Sequence, residues 1–158
     1  MAVTARNKVY THLWFAKGAD EAAKFYASIF PDSKVDRVIS LPTGSTETQV
    51  VDFTVLGQRF QAITAGEHHP FNDAVSIVIE CENQAEIDRY YDALAKDGGK
   101  AQPCGWVIDR YGVRWQIVPA ALNKMWNEVD PKGAKRIVDA QMTMKKLDIA
   151  ALEKASRG

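Results

Sequence analysis

The sequence predicts an α+β fold of two tandem β-α-β-β-β modules followed by C-terminal helices. Three observations carry this expectation. Apolar residues alternate in short β-rich runs, two helical patterns each follow such a run, and two sets of residues recur in the same order further along the chain.

The first run, KVYTHLWF (8–15), alternates and is rich in β-formers, so it reads as a strand closed by Gly18. ADEAAKFYASIF (19–30) places Ala22, Phe25, Tyr26 and Ile29 at helical spacing, with Asp20 and Glu21 in the first turn where they complement the helix dipole. Pro31 stops it. Strands are expected at 34–41, 48–56 and 59–65, the last two joined by Leu56-Gly57-Gln58, a hairpin signal. The pattern then restarts. DAVSIVIEC (73–81) reads as a strand. NQAEIDRYYDALAKDGG (83–99) reads as a helix with Ile87, Tyr90, Tyr91 and Leu94 on one face and a Gly-Gly stop. Strands at 104–109 and 113–119 flank a turn at Arg110-Tyr111-Gly112, where Asp109 shapes the turn. From 120 onward the pattern is helical, with Asp130-Pro131 a cap and first-turn pair and Asp148 the cap of a last helix, 149–156.

The repeat is specific in its residues. Glu21-x-x-x-Phe25-Tyr26-x-x-Ile29 recurs as Glu86-x-x-x-Tyr90-Tyr91-x-x-Leu94, and Gly57-x-Arg59-Phe60-Gln61-x-Ile63 recurs as Gly112-x-Arg114-Trp115-Gln116-x-Val118. A length of 158 residues suits a single domain, made of a first module (8–65), a second module (73–119) and a helical extension (120–158).

Composition excludes several function classes. Twenty Lys and Arg balance twenty Asp and Glu, which argues against a nucleic-acid backbone as partner, since such binding draws on excess cationic charge. No apolar run approaches the roughly 20 residues that span a bilayer. MAVTARNKVY has no apolar signal core, and two cysteines, Cys81 and Cys104, fit free thiols in a reducing cytoplasm. No CxxC or HxxxH spacing offers a zinc site.

Candidate site residues follow from strand alternation. Phe60, Ala62 and Thr64 share one face of their strand and Gln61, Ile63 and Ala65 the other; Trp115 and Ile117 lie opposite Gln116 and Val118. With helices covering one face, both glutamines reach the open one, and a buried amide left unpaired costs a few kcal/mol. Matched amides therefore suggest a wet or ligand-filled cleft, or simple pairing with each other, backbone or water. In the opening strand, Val9, Leu13 and Phe15 suit the covered face, leaving Tyr10, His12 and Trp14 for the cleft. In 74–81, Val75, Ile77, Ile79 and Cys81 suit the covered face, leaving Ser76 and Val78, with Ser76 the expected counterpart of His12. Tyr10, Trp14 and Trp106 supply apolar walls. His68-His69 reads as an exposed loop, and Cys104 as a packed or half-buried thiol.

At these residues the chain resembles the vicinal oxygen chelate superfamily, which includes glyoxalase I, extradiol dioxygenases and bleomycin-resistance proteins, and within it the PhnB-like branch labelled 3-demethylubiquinone 3-methyltransferase. The matching segments are His12-Leu13-Trp14-Phe15, Ala19 to Ser33, Cys104-Gly105-Trp106 through Trp115-Gln116-Ile117-Val118-Pro119, and Met144 to Glu153. The resemblance implies sheets curled around a cleft, often completed in a homodimer, and a small-molecule ligand. It projects metal-ligand positions onto His12, Gln61, Ser76 and Gln116. These lack the carboxylate of metal-using relatives, so no metal is expected, and the cofactor is left open. Four functions remain. The first is a metal-poor binder or enzyme in which His12 moves a proton, with Tyr10, Trp14, Gln61, Ser76, Trp106 and Gln116 contacting ligand. The others are a divalent-metal enzyme, a sequestering protein, and the methyltransferase of the label, which the absence of a G-x-G-x-x-G turn disfavours.

Overall fold

A computed structural model describes residues 8–43 and 46–158. It is a mixed α+β structure with two four-stranded sheets and C-terminal helices. Its contacts divide the chain into two compact units, residues 1–69 and 70–158.

The first unit holds β1 (Thr11–Phe15), α1 (Ala19–Ile29), β2 (Lys34–Thr43), β3 (Thr46–Val55) and β4 (Gln58–Thr64). The sheet order is β1-β4-β3-β2, with β1 parallel to β4 and the remaining pairs antiparallel. Burial alternates along β4, where Phe60 and Ala62 are buried and Arg59, Gln61 and Ile63 are partly exposed. The covered face packs on α1 through Leu13, Phe15, Ala22, Tyr26, Phe53 and Phe60, and the Phe53 and Phe60 rings stack at 5.3 Å between centroids. Val9 was expected on that face but is 78% exposed, because β1 begins only at Thr11.

The second unit repeats the plan with β5 (Ile77–Cys81), α2 (Gln84–Ala95), β6 (Lys100–Ala101), β7 (Trp106–Ile108) and β8 (Arg114–Pro119), in the order β5-β8-β7-β6. Three boundaries differ from the sequence reading. The strand expected from 73 begins at Ile77, since Asn72 Oδ1 accepts the Ala74 N–H and turns the chain, which leaves Val75 73% exposed. The two-residue β6 is too short to leave a periodic signal. The strand expected from 104 is preceded by a 3₁₀ turn, Pro103–Gly105, in which Cys104 (φ 60°) and Gly105 (φ 82°) are both left-handed. Only glycine fits at 105, because a Cβ there would come 2.8 Å from the Ile117 carbonyl oxygen.

The chain continues into α3 (Ala121–Glu128), α4 (Pro131–Met142) and α5 (Ile149–Arg157). Asp130 and Asp148 cap α4 and α5, accepting from Gly133 N and Ala151 N. Within the second unit these helices pack around Leu122, Met125, Ile137, Leu147 and Leu152, with Val118 of β8 against them. Gln84 on α2 ties them down, donating to Leu147 O and accepting from Ile149 N, both at 2.9 Å. The left-handed turn is held from the same side, with Cys104 N bonded to Met144 O and Gly105 N to Lys145 O. Among the described residues no helix is long and apolar enough to cross a membrane.

Candidate functional site

Each sheet has one face without a helix, and both glutamines lie there. On the first sheet, register puts four side chains in a row across the strands: His12 on β1 beside Gln61 on β4, Gln61 beside Asp52 on β3, and Asp52 beside Arg37 on β2. Gln61 Nε2 donates to Asp52 Oδ1 at 2.8 Å, and Arg37 Nε donates to Asp52 Oδ2 at 2.9 Å. Arg59 stands 3.9 Å from Asp52 and lies over the Tyr10 ring at 3.8 Å. Burial alone pushes the Asp52 carboxyl up. The hydrogen bonds from Gln61 and Arg37 and the charges of Arg37 and Arg59 outweigh it, holding the group below its ordinary value. His12 is exposed. Trp14, in the neighbouring row opposite Ile63, donates its indole N–H to Glu67 O at 2.9 Å and meets the His69 ring edge-on at 5.0 Å. The His68-His69 loop is exposed, with His69 set against Trp14.

The second sheet's open face is built from different chemistry. Gln116 on β8 pairs in register with Val78 on β5 and Trp106 on β7. Its amide nitrogen donates to Ser76 Oγ at 2.8 Å from the segment just before β5. Val78, rather than Ser76, therefore stands where His12 stands in the first module. A cavity of about 280 Å³ opens beside Trp106, lined by Asp73, Gln102, Pro103, Trp106 and Ile108. Asp73 pairs with Arg114 at 2.8 Å, and Gln102 is fixed through its backbone, accepting from Tyr91 Oη and donating to Trp106 O.

Beneath this face the turn before β8 is locked by Asp109, only 2% exposed. Its Oδ1 accepts from Tyr111 N and Val113 N, and its Oδ2 from the buried Trp115 indole at 2.8 Å. Asp109 thus shapes the turn and also orients the core tryptophan. The two thiols differ. Cys81 is fully buried, and desolvation, helped by Glu86 and Glu82, pushes its pKa up to about 12, while Cys104 is half-buried with its sulfur 3.4 Å from that of Met142.

The donor set does not fit a resident divalent cation. The first sheet offers one imidazole and one amide oxygen, and its carboxylate, Asp52, is committed to Arg37 and Gln61. On the second sheet Val78 contributes no donor atom. Among the described residues no three His, Cys, Asp or Glu side chains gather where they could hold a metal.

Asp52, Arg37 and Asp73 escaped the sequence reading. Asp52 did leave a signal: in Val51-Asp52-Phe53-Thr54-Val55 the buried positions are apolar, so the carboxylate falls on the face that Gln61 shares.

Two four-stranded sheets of this topology, each with one helix-covered and one open face, define a vicinal oxygen chelate (glyoxalase-type) protein. The profile of the family described as 3-demethylubiquinone-9 3-methyltransferase matches residues 7–118, and the chain belongs to that family. Among solved structures, the PhnB protein of Bacillus cereus is 33% identical, with 72% of this chain and 99% of that chain covered and a TM-score of 0.61. The fosfomycin resistance protein FosX of Mesorhizobium loti shares the fold at 12% identity, 78% and 98% coverage and a TM-score of 0.58. A FosX variant from Listeria monocytogenes, complexed with manganese(II) and a dihydroxypropylphosphonic acid, does so at 15% identity, 73% and 93% coverage and a TM-score of 0.54. No curated protein sequence matches.

Proposed function

We propose that this chain is a small-molecule-binding protein of the vicinal oxygen chelate type that works without a resident metal. Its ligand seats an apolar, planar part in the cavity beside Trp106. Where a reaction follows, His12 moves the proton, since it is the exposed imidazole in line with the ordered amide of Gln61. The further ligand contacts we propose are Tyr10, Trp14 and Gln61 on the first sheet and Ser76 and Gln116 on the second. The observation that carries this reading is the cavity itself: about 280 Å³, walled by Trp106, Pro103 and Ile108, with Gln102 and Asp73 at its polar side. An apolar concavity with few fixed polar groups is the usual form of a small-molecule site. We further propose that the protein acts as a homodimer in the cytoplasm and that its modules and helical extension form one domain.

The test is titration with 2-naphthol, with affinity measured by calorimetry and the site read on the Trp106 indole N–H resonance. The expected result is saturable binding that shifts this resonance, and that Trp106→Ala abolishes by calorimetry with the fold retained. Unchanged affinity in that variant overturns the reading. His12→Ala then separates the enzyme from the pure binder, since a catalyst keeps affinity and loses turnover of the substrate identified.

The family description supports a second reading, methyl transfer. Neither strand-to-helix connection, Ala16-Lys17-Gly18 or Glu82-Asn83, is a glycine-rich turn of the kind that cradles nucleotide cofactors. A thermal shift with S-adenosylmethionine supports this second reading, and its absence removes it.

A further inference from the structure

Gln61 and Gln116 are matched in sequence, yet only one of them has its amide orientation dictated by chemistry. The partner of Gln116 is the Ser76 hydroxyl, which can donate or accept, so either end of that amide can face it. The partner of Gln61 is the Asp52 carboxylate, which when ionised can only accept. Gln61 must turn its NH2 toward Asp52, and its carbonyl oxygen is thereby left for the open face beside His12.

We propose that Asp52 is a positioning residue: it locks Gln61 as a hydrogen-bond acceptor on the open face of the first sheet, and so selects ligands that carry a hydroxyl or phenolic donor there. The substrate class rests on the small-molecule reading above; the lock on Gln61 does not. The two arginines at Asp52 favour this arrangement, while the nearby Asp36 carboxylate is engaged by Thr54 and Lys34. Arg37 engages Oδ2 through both Nε and a terminal nitrogen, and Arg59, itself steadied over Tyr10, adds positive charge at 3.9 Å. The row is rigid because its members are register neighbours on adjacent strands. Aromatic surface flanks it on both sides, Tyr10 with Arg59 on one and Trp14 with His69 on the other. A planar hydroxylated ligand can thus lie along the strands with its O–H over Gln61. An ether or carbonyl oxygen at the same point would face another lone pair and be rejected.

Two measurements test the proposal separately. The first needs no ligand. In wild-type protein the Gln61 ε-NH2 resonances move as Asp52 is protonated in acid, those of Gln116 do not, and Asp52→Asn abolishes the movement. Equal behaviour of the two amides overturns the lock. The second compares 2-naphthol with 2-methoxynaphthalene. Wild-type protein favours the naphthol by about 5–10-fold, the worth of one hydrogen bond. Asp52→Asn, which frees the amide to turn, and Gln61→Leu, which removes the acceptor, both bring the ratio close to one, by weaker binding of the naphthol and tighter binding of the ether. If 2-naphthol shifts Trp106 but the ratio is the same in wild type and both variants, the binder reading stands and this selectivity falls. If neither naphthalene binds wild-type protein, the binder reading and the substrate class fall together, and the amide titration alone decides the role of Asp52.

Discussion

In the row that holds the glutamines, the second sheet puts apolar residues where the first has polar ones. His12, Gln61, Asp52 and Arg37 form a charged row on the first sheet, whereas the matching row on the second runs Val78, Gln116, Trp106. The covered faces behave differently. Tyr26 and Tyr91, Phe60 and Trp115, and Ala62 and Ile117 are matched and buried in both units. Packing against a helix restrains what the covered face can accept, because volume errors there cost kcal/mol. The open face escapes that restraint, so the two similar modules can carry two chemistries there. Within this row only the glutamine kept both its place and its type; two residues earlier on the same face, Arg59 and Arg114 do the same.

The sharpest way to break this comparison is at the turns that enter β4 and β8. In the second unit, Asp109 serves two backbone N–H groups and the Trp115 indole. In the first unit the equivalent support is light, with Ser33 Oγ accepting from Leu56 N. Asp109→Ala leaves a buried indole N–H without its acceptor and should cost about 3–5 kcal/mol in denaturant unfolding. Ser33→Ala should cost about 1 kcal/mol. A loss below about 1 kcal/mol for Asp109→Ala would mean the turn is held by backbone alone.

How far these features could be read in the sequence depends on how local they are. The periodicity of α1 and α2, the caps at Asp130 and Asp148, and the turn role of Asp109 are short-range patterns, and the structure has them where the residues place them. The left-handed turn at Cys104-Gly105 was read as strand because Cys is rarely left-handed and nothing local demands it. What demands it is the segment from Met144, some forty residues on, whose carbonyls accept from that turn. The packing of the C-terminal helices on the second unit was equally illegible, since Gln84 reaches Leu147 and Ile149 only once the chain is folded. Within the site, alternation placed Gln61 and Gln116 on open faces but could not pair one with Asp52 and the other with Ser76, because register between strands is not written along either strand.

A second prediction sharpens the contrast between the two glutamines through pH. The Asp52 carboxyl titrates below its ordinary value of 3.8 in the folded protein. A depressed folded value means the group contributes stability above its unfolded pKa, and that contribution is lost as pH falls through the folded one. Asp52→Asn should therefore cost about 1 kcal/mol near neutral pH, and the gap to wild type should close below about pH 4. Ser76→Ala, at the other glutamine, should show a pH-independent difference over the same range. A gap that persists unchanged in acid would show that Asp52 contributes no charge-dependent stability.

The smallest effect concerns the two-residue turn between β3 and β4. Val55 and Gln58 pair across it, and both central residues have positive φ, Leu56 at 47° and Gly57 at 77°. That is the type I′ geometry whose twist suits a hairpin, and it favours Asn-Gly. Leucine pays for the left-handed conformation through its Cβ, and at 40% exposure its side chain recovers little by burial. Leu56→Asn keeps the N–H that Ser33 accepts and should raise stability by about 0.5–1 kcal/mol. The turn at Arg110-Tyr111-Gly112 has no equivalent gain to offer, because Asp109 already organises it. If Leu56→Asn lowers the unfolding midpoint instead, the leucine has a partner at this edge, and the first sheet's turn is as specialised as the second's.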